Sequence, residues 1–256
     1  MQKLIFIGFY IFLLSSFSYG QDSHYDKGKS LYYNHEYKQA AKHFKKCKID
    51  PDSSLTYHYN LGYYLLKSRE YSKSILFFHY TLKRDSLSQF GYINLNLSIC
   101  HQKLGNLDSA VYYGSEELKH FQYGFGQVQD GTFANLGHCY LDKEELDSAI
   151  VYFKKAVHSA TDNISHKYYL SRAYWLNENY TLAAEMVDSA LVDDPENISL
   201  LLLRGDIAVD FDIENALSYY NKAIDAGYIP VRPTKGIIRR LRKMSVLEAK
   251  LYQSLN

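Results

Sequence analysis

Small residues recur along this chain at a nearly fixed interval. Ala40, Ser74, Ala110, Ala149, Ala183 and Ala216 are separated by 34, 36, 39, 34 and 33 residues. Such a period constrains the fold more than any single motif, because every unit must then be the same supersecondary structure. Other positions repeat around each small residue. The clearest copy runs Asn135-Leu136-Gly137, Tyr140, Ala149, Phe153 and Ala156, and a second runs Asn60-Leu61-Gly62, Ser74, Phe78 and Thr81. Further copies hold Gly28, Ala40, Phe44 and Cys47; Leu170, Tyr174, Ala183 and Ala190; and Gly205, Ala216, Tyr220 and Ala223, with a degenerate one at Leu97, Gly105 and Ala110. Within a copy, apolar residues fall at helical spacing, as in Ile150, Phe153, Ala156 and Val157. Each unit therefore reads as two amphipathic helices, with small residues such as Gly137 and Ala149 where the pair approaches closely. One hairpin cannot cover its own apolar face, so neighbours must stack.

This pattern of Leu-Gly, aromatic, Ala, Phe and Ala at a period near 34 resembles the tetratricopeptide repeat over roughly residues 22–226. The resemblance implies an all-α fold, a right-handed α-solenoid of about six helical hairpins. The repeats fall near 21–54, 55–88, 89–126, 127–162, 163–196 and 197–226. Gly227, Pro230 and Pro233 then break the pattern, leaving 227–256 as a linker and a C-terminal capping helix. That helix, near 234–255, offers Ile237, Ile238, Leu241, Leu247, Leu251 and Leu255 to the stack. Its Arg239, Arg240, Arg242 and Lys243 form either a solvated outer face or a contact to anionic lipid or a partner.

The first twenty residues form a signal peptide by pattern. Lys3 is followed by an apolar run over 4–14 and by Ser18-Tyr19-Gly20, with Gln21 as the mature start. The run is short for a membrane span, although an uncleaved anchor is the alternative. The reading places the protein in the periplasm or outside the cell, with no stable membrane span after cleavage. Without Lys3 the formal charge of +1 falls to zero, which argues against nucleic-acid binding. Three Cys is an odd number for an oxidising compartment. They read as small buried hydrophobes at helix interfaces, the alternative being an intermolecular disulfide or a reactive thiol. Cys100 and Cys139 hold equivalent places in successive repeats, about 8–10 Å apart on stacked helices, too far for an unstrained disulfide.

No constellation points to catalysis, a metal or a cofactor. The sequence has no His-Glu-x-x-His, no Cys-x-x-Cys, no phosphate-cradling glycine loop and no Gly-x-Ser-x-Gly. Gly124, Gly126 and Gly131 cluster without a strand-to-helix context, and the adjacent His138 and Cys139 point about 100° apart on a helix. The chain reads as a non-enzyme.

The resemblance implies that the first helix of each hairpin lines a concave groove. Carried over repeat by repeat, that geometry gives Tyr25, Lys29, Tyr32 and Tyr33; then Tyr59, Tyr63 and Lys67; then Tyr92 and Lys103; then His138; then Tyr168, Arg172 and Trp175; and last Asp206 and Asp210. Among 26 tyrosines, about half of those in this set should pack between hairpins instead. Rings with polar tips and a few cations suit an extended peptide. The clamp by which some family members hold acidic chaperone tails is matched only at Asn60, with Tyr25, Tyr92 and Asn96 where its cations belong, so that specificity does not carry over.

Two irregularities remain. The 39-residue interval before Ala149 leaves about five extra residues around 119–132, as a projecting recognition loop or a longer helix with a slack turn. Asp-Ser-small triplets at Asp108, Asp147 and Asp188, with Asp85-Ser86-Leu87, resemble an O-glycosylation motif of exported bacterial proteins; Asp108 or Ser109 equally reads as a helix cap. The function expected is a protein-interaction scaffold of the bacterial cell envelope. The alternatives are a structural subunit of an outer-membrane or secretion assembly and a glycan-binding module.

Overall fold

The computed structural model describes residues 23–49, 54–85, 91–122 and 130–228. Among them the chain is all-α. Helix α1 covers 23–33, followed by α2 (Tyr37–Phe44), α3 (Leu55–Lys67), α4 (Tyr71–Arg84), α5 (Ile93–Lys103) and α6 (Leu107–Gln122). Then come α7 (Asp130–Asp142), α8 (Leu146–Ser159), α9 (Ile164–Leu176), α10 (Tyr180–Asp193), α11 (Ile198–Ala208) and α12 (Ile213–Asp225). Two compact units divide at Glu145, α1–α7 in unit 1 and α8–α12 in unit 2. In unit 1, α3 pairs with α4 and α5 with α6, and each hairpin packs on the next through α2–α3, α4–α5 and α6–α7. In unit 2 the pairs are α9–α10 and α11–α12, stacked through α10–α11. The first helices also touch directly, α3 on α5 on α7 and α9 on α11, so each unit presents a face built from first helices.

The turns inside the hairpins share one device. His35, Arg69, Gly105, Glu144 and Glu178 each take a left-handed backbone, with φ between 60° and 78°. The following amide reaches back to the last turn of the first helix, as in Glu70 N–H to the Leu65 carbonyl and Glu145 N–H to the Tyr140 carbonyl. This wraps the orphan carbonyls of the helix end and reverses the chain within three residues. Only one of the five positions uses glycine, the residue that adopts this conformation without a steric penalty. At the other end of the hairpins, Ser54, Asn163 and Asn197 accept hydrogen bonds from the amides of Tyr57, His166 and Leu200 as N-caps of α3, α9 and α11, and inside the last hairpin Asp212 caps α12 by accepting from the Asn215 amide.

Packing within a hairpin follows a size exchange between two positions fifteen or sixteen residues apart. Where the first helix carries glycine, the second carries a ring: Gly28 faces Phe44, Gly62 faces Phe78 and Gly205 faces Tyr220. A Cβ on these glycines would stand 2.6, 3.0 and 2.5 Å from the ring. Where the first helix carries serine, the second carries a smaller residue, Ser98 with Gly114 and Ser171 with Val187. Those serines are buried and donate to the Ala110 and Ala183 carbonyls at 2.6 and 2.7 Å, across the hairpin. In the second repeat the hydroxyl sits on the other helix, Ser74 donating to the Gly62 carbonyl at 2.7 Å. Beside Gly114, Leu136 fills the space a ring would take. These hairpins are thus held by an aromatic plug, by a hydroxyl bridge or, in the second repeat, by both.

The three cysteines are free and buried. Burial pushes the Cys100 and Cys139 thiols up to about 11, which keeps both protonated and unreactive. The cap assignment for α6 needs correction: the helix opens at Leu107, so Asp108 and Ser109 lie within its first turn, and Asp108 instead pairs with Lys143 at 3.0 Å. Asp147 likewise lies in the first turn of α8 and accepts from Asn177, and Asp188 lies within α10. Helix α6 runs for 16 residues, longer than its counterparts, and so takes up part of the 39-residue interval; its remainder, 123–129 with Gly124 and Gly126, lies outside the described residues. So do the signal segment, Ser86 and the capping helix with its basic cluster. Among the described residues no helix is long and apolar enough to cross a membrane.

Candidate functional site

Tyrosines of α1, α3 and the first turn of α2 converge in unit 1. Tyr64 is the buried hub, 6% exposed, with its ring stacked on Phe44 at 5.1 Å and 6°. Around it stand Tyr32 at 4.9 Å, Tyr25 at 6.2 Å, Tyr63 at 6.2 Å and Tyr33 at 6.4 Å between ring centroids. Tyr32 also meets Tyr37 edge-on at 5.3 Å. The top of the cluster is open: Tyr33 is 62% and Tyr37 43% exposed. Such edge-to-face and offset arrangements are each worth about 0.5–1.5 kcal/mol beyond area burial, so the platform is stiff before any ligand arrives.

Its electrostatics are set by burial. Desolvation raises the phenols of Tyr25, Tyr32 and Tyr64 above their ordinary value, and for Tyr64 the hydrogen bond shared with the Tyr33 hydroxyl, at 3.3 Å, adds to it. The phenols therefore stay neutral O–H groups that donate as well as accept. Charge comes from the edge, where the Lys67 ammonium lies 5.2 Å from the Tyr63 ring centroid, and Lys29 is exposed on α1. The surface offers flat apolar area, hydroxyl donors and cations, which together match the carbonyls and carboxylates of an extended chain.

Of the residues singled out from sequence, Tyr25, Tyr32, Tyr33, Tyr63 and Lys67 are brought together here, with Lys29 exposed on α1. Tyr59 turns to the neighbouring core instead, packing on Phe78 and donating to the Gly91 carbonyl at 3.3 Å. Tyr92 is not on the first helix of its repeat: it is the N-cap of α5, with φ 68°, placed there because Gly91 and Tyr92 form the turn that starts the hairpin. Lys103 is exposed at the end of α5, and His138 is half-buried on α7. In unit 2, α9 carries half-buried Tyr168 and Trp175 and exposed Arg172. Burial raises the Tyr168 phenol while the Arg172 charge lowers it. Asp206 on α11 accepts from the Tyr220 hydroxyl at 2.8 Å, and Asp210 is exposed beyond that helix.

Sequence reasoning missed Tyr37 and Tyr64, the lid and the hub of the platform. Tyr64 follows Tyr63 directly, and a run of two tyrosines on one helix signals that one must turn inward. It also missed Glu117. This carboxylate is buried on α6 at 4% exposure, and its two oxygens accept the amides of Tyr92 and Leu95, both at 3.1 Å, capping α5 from the neighbouring helix. No group of three or more His, Cys, Asp or Glu among the described residues is arranged to hold a metal.

Residues 131–163 match the family model described as tetratricopeptide repeat. Comparison of the sequence with curated proteins gives no significant match. Solved structures with a similar fold include PilF of Pseudomonas aeruginosa, 21% identical, covering 82% of this chain and 94% of that one, with a TM-score of 0.61. The C-terminal part of a repeat-containing protein from Cytophaga hutchinsonii is 17% identical over 79% of this chain and 78% of its own, TM-score 0.63. YrrB, described as a TPR protein with an unusual peptide-binding site, is 16% identical over 74% of this chain and 92% of its own, TM-score 0.57. One repeat of the chain, residues 131–163, thus matches the tetratricopeptide repeat in sequence, and the paired helices of the described residues share the fold of solved repeat proteins.

Proposed function

We propose that the chain is a protein-interaction scaffold of the bacterial cell envelope, and that the tyrosine platform of α1, α2 and α3 receives an extended segment of its partner. The observation that carries this reading is the pair of exposed rings, Tyr33 and Tyr37, held over a buried ring hub with Lys67 at the edge. Exposed aromatics on a rigid base are the side chains that most often dominate binding energy. The peptide-binding site named for YrrB agrees with a peptide-sized partner, and the signal pattern over residues 1–20 supports export.

A random-peptide display library panned on the full chain tests the reading. Recovered peptides should be acidic and extended, and their affinity should fall at least tenfold in Tyr33→Ala/Tyr37→Ala and in Lys29→Glu/Lys67→Glu, all exposed positions whose replacement leaves the helices folded. Peptides that bind both double variants as well as the parent would place the site elsewhere. Cell fractionation tests the location: recovery in the cytoplasmic fraction would end the envelope assignment.

A further inference from the structure

Unit 2 carries a groove of about 520 Å³ at the turn end of its hairpins, between the start of α10, the end of α11 and the start of α12. Its apolar lining includes Leu182, Ile207 and Phe211, and the Tyr180 ring meets Phe211 edge-on at 4.9 Å. Ile207 is buried, whereas Leu182 is 44% and Phe211 67% exposed. The other repeats serve as a control for these two side chains. Counted from the small residue of each second helix, Leu182 takes the position held elsewhere by Gln39, Lys73, Ser109, Ser148 and Asn215. Phe211 takes the position held by His35, Arg69, Gly105, Glu144 and Glu178. Five hairpins thus close with a polar residue or glycine at each place, so closing a hairpin does not call for an apolar side chain at either. Folding leaves Leu182 and Phe211 unexplained, and exposed apolar surface rimmed by polar groups is the usual mark of an interaction site.

The rim fixes the sign of the occupant. Glu178 and Asp212 line the groove, and Asp210 and Glu214 are exposed beside Asp212 in the chain. The basic side chain in the lining, Arg204, is already answered: its Nε donates to Asp188 at 2.8 Å and its guanidinium lies 5.1 Å from the Tyr219 ring centroid. The surrounding sequence repeats the imbalance, with thirteen Asp and Glu against six Lys and Arg over 146–228. A cationic ligand is therefore attracted both at the rim and at longer range.

We propose that this groove docks a cationic segment of a partner protein, which lays aliphatic side chains on Leu182 and Phe211 and sets lysines or arginines against Glu178, Asp212 and Glu214. Apolar contact holds the complex. The exposed rim charges act chiefly on the rate of association and its salt dependence, and they repel an acidic segment. The tyrosine platform, with Lys67 at its edge, selects the opposite sign, so the two surfaces do not compete for one ligand. The groove stands as a site whether or not the platform binds peptide.

A random-peptide display library panned on the full chain carrying Tyr33→Ala/Tyr37→Ala, in which the platform is disabled, tests the proposal. Recovered peptides should be rich in Lys and Arg and should carry Leu, Ile or Val. Measured by fluorescence anisotropy in the same background, their affinity should fall at least tenfold in Leu182→Ser/Phe211→Ser and at least fivefold in Glu178→Lys/Glu214→Lys. Added salt should weaken binding, and much less so in the lysine variant. Helical signal by circular dichroism, unchanged from the parent, establishes that the variants are folded. Failure to recover peptides, recovery of acidic peptides, or affinity undiminished in Leu182→Ser/Phe211→Ser overturns the proposal. So does a dimer, seen by light scattering, that the serine pair dissolves, because the occupant is then a second copy. Shielding of Phe211 from hydroxyl radicals in the dilute, peptide-free monomer overturns it as well, because the chain itself then covers the groove.

Discussion

Replacing Gly28 by alanine puts the plug-and-glycine packing of the first hairpin to a direct test. The added methyl would lie 2.6 Å from Phe44 Cε1 and 2.8 Å from Cδ1. Carbon atoms in contact sit about 3.5–4.0 Å apart, so the ring must retreat by roughly 1 Å. It has little room to do so, because Phe44 is fully buried and stacked on Tyr64. Alanine gains about 1 kcal/mol in helix propensity over glycine, whereas overpacking a filled core costs about 1–3 kcal/mol. The expected balance is a net loss of about 1 kcal/mol. Phe44→Leu alone should cost about 1–2 kcal/mol from lost packing. In the double variant the methyl enters space the ring has vacated, so the two losses should fall short of additivity by about 1–2 kcal/mol. Urea unfolding followed by far-ultraviolet circular dichroism measures the cycle. Amide exchange in α1 and α2 reports opening of the first hairpin, since a repeat array need not unfold as one unit. If Gly28→Ala is stabilising by its full helix propensity, or the double variant is strictly additive, Gly28 is not present to admit the ring.

Two further outcomes follow from the same geometry. Arg69→Gly and Glu144→Gly should each stabilise the chain by about 1 kcal/mol, because an exposed side chain on a left-handed backbone carries strain that glycine lacks; a loss in thermal unfolding would refute this. The chain should also be acid-sensitive. Burial holds His43, His79 and His101 below the ordinary histidine value, and for His101 the nearby His79 adds to it. The unfolded chain therefore takes up protons near pH 6.5 that the folded chain refuses, so stability is full above that pH and declines as pH falls below it. The His101 ring stacks on Tyr113 at 5.4 Å and 10° and makes no hydrogen bond through its buried nitrogens, so His101→Phe should keep the packing and weaken the decline. An unchanged difference in melting temperature between pH 7.5 and pH 5 would remove His101 from the account.

The hairpins were legible in the sequence because their cause is local and repeated. A small residue every thirty-odd positions, with aromatic and apolar residues at fixed offsets, is the imprint of helices that must approach closely and then stack. The cysteines were readable as buried hydrophobes for the same reason. The exchange between Gly28 and Phe44, or Ser171 and Val187, was written sixteen residues apart but gains meaning only when the contact is seen. Helix starts were less legible. Tyr92 and Asp108 fell on the wrong side of a boundary, because a turn with a left-handed residue shifts the first helical position by one or two residues. The platform was half legible: α1 and α3 declared their tyrosines, but which of them turned inward depended on Phe44 and the ring hub. Glu117 and the groove of unit 2 depend on contacts between separate segments, and no local signal announced either.

The borrowed cap of α5 couples two helices that are distant in sequence. Four other helices, α3, α9, α11 and α12, bring their own polar residue to the starting turn, so the cap of each is local in sequence. Helix α5 has none, and the carboxylate that completes its first turn is 25 residues downstream of Tyr92. The first helix of the third hairpin is therefore capped only when α6 is packed against it, which ties the two helices of that hairpin to each other at their ends.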